Sequence, residues 1–307
     1  MDELAELLAE AYGLAVEQLE PAPRGWTGET FAVRVRGGRR VFVKLYPPAL
    51  LPPNAEAALP VLTEMAAYGL REIAPPIRTR DGELSAWLGD ELVVLFEHLE
   101  AERIRPFPFG GEDVGELIGG VHAATAGVSC PVATEAFDRP YAEELWRTLD
   151  AVARDTSDDE GRQRLRRWVL EKQTEHAELW ARFDGTAQAC REAGLEMVVT
   201  HGDWSFNLLR RPDGTTFLVD WDELLLAPPE RDTWFANGDA AFWRGYRRVR
   251  PAIVESELAT RFYIQNRYFE EVLGSARIVM LDAAEAHRLN ALGLLSSEWT
   301  KSLRARM

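Results

Sequence analysis

Apolar residues recur at helical spacing at the start of the chain, at Leu4, Leu7, Leu8 and Ala11, and predict an opening helix. The period then shortens to two. Thr30–Val35 (TFAVRV) and Arg40–Leu45 (RVFVKL) alternate apolar and polar positions, and Gly37-Gly38 between them predicts a β-hairpin. Pro47, Pro52 and Pro53 break the chain before a helix expected over residues 55–69. Two further β-like runs follow at 76–80 and 91–97, with Asp81-Gly82 and Gly89-Asp90 as turns.

The pattern changes at RPFPFGG, a Pro/Gly-rich connection that starts near residue 105. Helices are expected over 112–126, 140–154, 160–184 and 186–193. A short β insert interrupts them at 197–220: Val198–Thr200, Leu208-Leu209 and Thr216–Val219 are apolar, and Pro212-Asp213-Gly214 is a turn. From residue 232 to the end the spacing is helical again. The chain therefore reads as α+β, with a small β-rich N-lobe over residues 1–100 and a larger helical C-lobe over 101–307.

Composition narrows the function. With 46% hydrophobic and 28% charged residues the chain is ordinary globular protein, long enough for a sizeable core. Its net charge of -15 lacks the footprint of a nucleic-acid binder. The same acidity either steers a cationic substrate or serves solubility. Cys130 and Cys190 have no pairing or metal pattern, so both are expected as free thiols in a reducing compartment. The acidic N-terminus has no signal-peptide pattern, and no stretch reaches the ~18–20 apolar residues that span a bilayer. A cytoplasmic protein with a small-molecule partner, and no nucleic-acid or membrane partner, is expected.

The chemistry concentrates in residues 201–222, HGDWSFNLLRRPDGTTFLVDWD. Phosphoryl transfer needs a cation on the phosphates, oxygen ligands for Mg²⁺, and a carboxylate for the acceptor hydroxyl. Asp203 lies in the turn after a short apolar strand. Asn207 follows it, and Asp220 ends the returning strand, so a strand–turn–strand brings two hard oxygen ligands to one end. Asp222 either joins that metal site or caps a helix, with capping favoured. His201 is read as a hydrogen-bonded structural residue and His122 as core. Trp204, Trp221, Trp234 and Trp243 are read as packing near the motif.

These residues resemble the aminoglycoside phosphotransferase family, which has a two-lobed protein-kinase-like fold. VDWDELLLAPPERDTWF (219–235) and IAPPIRTRDGELSAWLGD (73–90) look like its spectinomycin phosphotransferase branch. The resemblance implies Asp203 as catalytic base, Asn207 and Asp220 as Mg²⁺ ligands and Lys44 as the lysine on the phosphates of ATP. It also implies a phosphate-covering loop at 24–30 and adenine recognition by backbone groups around Phe96 and His98. The lysine's carboxylate partner belongs on the following helix, where Glu56 and Glu64 both qualify and Glu56 is chosen. One departure stands out: three residues, not the family's usual four, separate Asp203 from Asn207. Asn207 is then expected to reach the metal through a tighter turn, with Ser205 as a fallback oxygen.

The function implied is an ATP- and Mg²⁺-dependent O-phosphotransferase acting on a small hydroxylated, cationic molecule. An aminoglycoside or aminocyclitol antibiotic comes first, which would make this a resistance kinase. A metabolic acceptor (choline, homoserine or an amino sugar) and a catalytically silent nucleotide-binding relative are the alternatives. A metal-dependent hydrolase built on His201, Asp203 and Asp220 is the least favoured, because no second histidine cluster supports it.

Overall fold

A computed structural model describes residues 2–22, 28–104, 110–281 and 284–307. Most of the expected phosphate-covering loop at 24–30, and most of the RPFPFGG connection, lie outside the described residues. The chain forms two compact units. One comprises residues 1–134, 197–232 and 236–253; the other comprises 135–196, 233–235 and 254–307.

The first unit opens with helix α1 (Asp2–Tyr12) and continues into strands β1 (Val16–Pro21), β2 (Glu29–Val35) and β3 (Arg40–Tyr46). Helix α2 (Ala55–Tyr68) and strands β4 (Ala86–Leu88) and β5 (Glu91–Glu97) follow. The strands make one antiparallel sheet in the order β1-β2-β3-β5-β4. The expected hairpin pairs Arg34 with Arg40 and Thr30 with Lys44, and Gly37 and Gly38 turn it with positive φ.

Central strand β3 is covered on both faces, and this decides where Lys44 goes. Val41, Val43 and Leu45 pack with Leu4, Leu8 and Tyr12 of α1. On the other face Tyr46 packs with Ala55 and Leu59 of α2 and with Leu92 and Val94 of β5. Strand alternation puts Lys44 on the face of Tyr46. It is accordingly buried, at 6% exposure, rather than turned to water. The run at 76–80 is not a full strand. Pro76 makes a lone bridge to Phe96 and Ile77 N–H donates to Leu95 O at 2.7 Å, because prolines at 75 and 76 offer no N–H to a ladder.

Short strands β6 (Glu102–Ile104), β7 (Val198–Thr200), β8 (Leu208–Arg210), β9 (Thr216–Leu218) and β10 (Leu225–Ala227) complete the β content of this unit. Their pairings are β6-β8-β9 and β10-β7. Helix α3 (Gly111–Ala123) lies against helix α7 (Ala240–Val249), with the one-turn α6 (Glu230–Thr233) between them in sequence. The two long helices approach backbone to backbone. A Cβ on Gly115 would strike the carbonyl of Phe242, and one on Gly245 would strike the carbonyl of Glu112. Gly245→Ala is therefore expected to cost about 1–3 kcal/mol by overpacking, read as a lowered thermal midpoint.

Helix α2 is tied down by Glu64 near its end. The carboxylate accepts from Ser129 N at 2.5 Å, Ser129 Oγ at 2.8 Å and Cys130 N at 3.0 Å. The Ser129 N–H, then that of Cys130, lower its pKa from 4.5 to about 2. A depressed carboxylate contributes stability that is fully present above its unfolded value and is lost as pH falls through its folded value. Glu64→Gln is thus expected to flatten the fall in stability between pH 4.5 and about 2, measured by denaturation across that range.

The second unit is helical: α4 (Ala142–Arg154), α5 (Glu160–Glu192), α8 (Glu257–Leu281), α9 (Glu285–Leu295) and α10 (Glu298–Ala305). Its core is aromatic, with Phe183 stacked on Phe269 and edge-on contacts from Trp180. Asp159 caps α5 by accepting from Arg162 N at 2.9 Å. The two helices expected at 160–184 and 186–193 are one. Gly185 costs about 1 kcal/mol in a helix interior, and the buried side chains of Phe183, Thr186 and Ala187 on either side carry α5 through it. No helix among the described residues is long and apolar enough to cross a membrane.

Candidate active site

Lys44 is where the sheet meets the hairpin-borne acids. Its Nζ lies 2.5 Å from Asp220 Oδ1 and 2.6 Å from Asp222 Oδ2. Tyr46, two residues along the same face of β3, donates its hydroxyl to Asp222 Oδ1 at 2.6 Å, and the Lys44 ammonium sits 4.7 Å from its ring centre. Burial, then the charge and hydrogen bond of Asp222, push the Tyr46 phenol up, so it stays protonated and a donor. Asp222 faces Lys44 and Tyr46, which joins it to the site.

The carboxylate on Lys44 is thus not Glu56. Glu56 is exposed on α2, off the face that Ala55, Ala58, Leu59 and Leu62 turn to the core, and Glu64 is committed to Ser129 and Cys130. Asp220 carries positive φ (69°), unusual for a residue with a Cβ. Such backbone strain persists where the surroundings over-determine it, and here the Lys44 contact and the Val219 bonds below supply that constraint.

Val219 links the turn after β7 to the returning chain. Its N–H donates to Asn207 O at 3.0 Å and its carbonyl accepts from His201 Nε2 at 2.9 Å. His201 Nδ1 accepts from Asp203 N at 3.2 Å, so the hydrogen bonds assign the neutral Nε2–H tautomer. With its ring against Trp221 at 4.8 Å and no exposure, His201 is a structural staple. Gly202 takes φ of 89°, a conformation that favours glycine, and a Cβ there would meet the Arg231 guanidinium.

Asp203 stands exposed at the start of a single 3₁₀ turn, Trp204–Phe206. Asn207 closes that turn: its N–H donates to Trp204 O at 3.0 Å and its Nδ2 donates to Asp203 O at 2.8 Å. The three-residue spacing is thereby closed into one tight turn, with Asn207 buried. Asp220 and Asn207 offer hard oxygens suited to Mg²⁺. No group of three His, Cys, Asp or Glu among the described residues makes a metal cage.

One residue that sequence spacing does not reveal holds the turn from behind. Asp232, with no exposure, accepts from His201 N at 2.8 Å, Gly202 N at 2.7 Å and His122 Nε2 at 3.1 Å. Burial opposes its ionisation, but the His122 hydrogen bond and nearby positive groups win and hold its pKa below the ordinary value. The backbone carbonyl of Asp232 also accepts from Trp204 Nε1 at 2.7 Å. Behind it runs a donor chain. Arg250 Nη1 donates to Tyr246 Oη at 2.9 Å, and Tyr246 pairs with His122 Nδ1 at 2.7 Å. His122 is buried as expected, yet as part of this chain rather than apolar packing. Tyr46 had a readable signal, the two-residue alternation from Lys44; Asp232, 30 positions from Gly202, had none.

Phe96 stands opposite Phe42 at the end of β5, and His98 follows it, half-buried. Burial, then the charge of Arg40, lowers the His98 pKa against the opposing pull of Glu100. Trp204 stacks on Phe242, and Trp221 packs its ring at a tilt of 59° against His201, in the first unit. Trp234 packs instead with Trp299 in the core of the second.

A model of the phosphotransferase enzyme family matches residues 18–263. Protein StrN of Streptomyces griseus is 31% identical over 181 residues, 56% of this chain and 56% of that protein, so the chain spans about half the length of this relative. Among solved structures, a spectinomycin phosphotransferase in complex with ADP and spectinomycin superposes with a TM-score of 0.76 at 17% identity, covering 99% of this chain and 97% of that one. An amicoumacin kinase in complex with AMP-PNP, Ca²⁺ and Ami gives 0.67 at 12% identity, covering 100% and 93%. A microcompartment-associated aminopropanol kinase gives 0.65 at 14%, covering 99% and 96%. At such identities the likeness establishes the fold, an α+β protein-kinase-like architecture with an antiparallel N-terminal sheet and a helical C-terminal part.

Proposed function

Since the chain belongs to the phosphotransferase enzyme family, we propose that it transfers phosphate from ATP to a hydroxyl of a small cationic molecule, with an aminoglycoside or aminocyclitol antibiotic as the first acceptor class. The observation that carries this reading is the convergence of Lys44 on Asp220, with Val219 bonding both Asn207 and His201 next to it. That joins the three requirements of the reaction: a buried cation, paired hard oxygens and a nearby carboxylate.

In this reading residues 1–100 act as the nucleotide-holding lobe and 101–307 as the catalytic and acceptor lobe. Lys44 holds phosphate oxygens, and backbone groups near Phe96 and His98 hold the base. Asn207 and Asp220 hold Mg²⁺, which supplies charge neutralisation on the phosphates. Asp203 orients the acceptor hydroxyl and takes its proton as the acceptor oxygen bonds to phosphorus and the bond to the ADP oxygen breaks. Asp222, pinned by Tyr46, keeps Lys44 in place between turnovers. The net charge of -15 favours approach of a cationic acceptor.

The test is ADP release across a panel of aminocyclitol and aminoglycoside antibiotics beside choline, homoserine, aminopropanol and amino sugars. Turnover with an antibiotic supports a resistance kinase. Turnover confined to the metabolic amino alcohols assigns the same chemistry to metabolism, an alternative favoured by the structural likeness to aminopropanol kinase. A second reading, nucleotide binding without transfer, rests on the shortened Asp203–Asn207 turn. It predicts calorimetric binding of Mg·ATP with no phosphorylated product.

A further inference from the structure

Helices α3 and α7 meet through glycine. A Cβ on Gly119 of α3 would come within 3.0 Å of the Tyr246 carbonyl oxygen on α7, and Gly115 lies one turn before it on the same face. That approach brings His122, three residues beyond Gly119, edge-on against the Tyr246 ring at 5.5 Å. Tyr246 has no exposure; its ring stacks on Phe242 and stands edge-on to Trp243. A phenylalanine would make the same ring contacts. Packing therefore accounts for the ring and leaves the hydroxyl to be explained.

The bonds around that hydroxyl all run one way. Asp232 is an ionised carboxylate and only accepts, so His122 Nε2, 3.1 Å from its Oδ2, carries the proton. With the proton there, Nδ1 accepts, and Tyr246 Oη donates to it at 2.7 Å. Arg250 only donates, and its Nη1 lies 2.9 Å from the same Oη. A cation bonded to the phenol oxygen makes the phenol a stronger donor. The chain thus starts at half-buried Arg250 and ends on the N–H groups of His201 and Gly202, held by Asp232 at 2.8 and 2.7 Å. His122 and the His201 N–H share one oxygen, Oδ2, so the pose of the His122 ring sets where that oxygen stands.

We propose that Tyr246, with Arg250 bonded to its oxygen, is a positioning residue for Asp203. Its hydroxyl fixes the tautomer and tilt of His122; His122 fixes the Asp232 carboxylate; and Asp232 fixes the backbone that presents Asp203 in the next position. Tyr246 touches neither nucleotide nor acceptor in this scheme and acts only through the turn. The catalytic consequence rests on the phosphotransfer reading, whereas the hold on the backbone of residues 201 and 202 does not.

Two variants of the full chain test it. Tyr246→Phe removes the hydroxyl and keeps the ring; Arg250→Met keeps the stem and removes the donor. Amide hydrogen exchange at His201 and Gly202 is expected to quicken about tenfold in Tyr246→Phe and about threefold in Arg250→Met, with amides of β3 unchanged as the internal control for global unfolding. With the acceptor of the panel above that the parent phosphorylates fastest, kcat is expected to fall by similar factors while KM for ATP stays within about twofold. Arg250→Met added to Tyr246→Phe is expected to change neither readout further, because its effect passes through the hydroxyl. Exchange at 201 and 202 that is unmoved in Tyr246→Phe, an unmoved kcat, or additive effects in the double variant would overturn the proposal. A parent chain that phosphorylates no acceptor overturns the phosphotransfer reading instead, and the exchange rates still decide whether Tyr246 holds the turn.

Discussion

Asp203→Asn is expected to lower kcat by about 10²–10⁴-fold while leaving Mg·ATP binding and the thermal midpoint near those of the parent chain. The carboxamide matches the carboxylate in shape but accepts no proton, and the exposed side chain is not part of the packing. The turn that presents it is held by backbone atoms and by other side chains: Asn207 on its carbonyl, His201 on its N–H and Trp204 in the core beside it. A substitution at 203 therefore changes the chemistry without moving the turn. Single-turnover measurement of phosphate transfer, paired with calorimetry for the nucleotide, reads the two effects separately. Turnover within twofold of the parent would remove Asp203 from the role of base.

Asp232→Ala is expected to cost about 3–5 kcal/mol, because it leaves two backbone N–H groups and His122 Nε2 without an acceptor in a fully buried site. Asp232→Asn keeps the shape but turns an N–H₂ toward one of the same donors, so it should fall between alanine and the parent. At about 2–4 °C for each kcal/mol, the alanine variant should melt some ~6–20 °C lower. Activity should fall in both variants even below their melting temperatures, since His201 and Gly202 then lose the bonds that set the backbone in front of Asp203. An alanine variant that melts within 1 °C of the parent would show that the buried carboxylate does not bear on the turn.

These two residues show how unevenly the site was legible. Asp203, Asn207 and Asp220 stand within 18 positions, and turn and strand signals between them bring their ends together without any tertiary knowledge. Asp232 lies in an ordinary polar stretch. Its importance comes from the return of the chain behind the turn, which no local period encodes. The choice of Glu56 as partner of Lys44 has a related weakness: helical spacing leaves Glu56 and Glu64 as alternatives, and only the packing of α2 shows that Glu64 turns to Ser129 while Lys44 pairs with Asp220 and Asp222.

The sequence by itself determined the β-hairpin with Lys44 on one strand, the helical character of the C-terminal part, the His201-Gly202-Asp203 turn and the net negative charge. Each of these rests on local chemistry: alternation along a strand, helical periodicity, turn residues and charge count. Only the tertiary structure decided that Lys44 is buried and clasped by Asp220 and Asp222, because helices α1 and α2 cover both faces of its strand. The same holds for the glycine contact between α3 and α7 and for the burial of Asp232. In each case partners far apart in the chain set the hydrogen bonds, the available space and the cost of burial, and their meeting is a property of the whole fold.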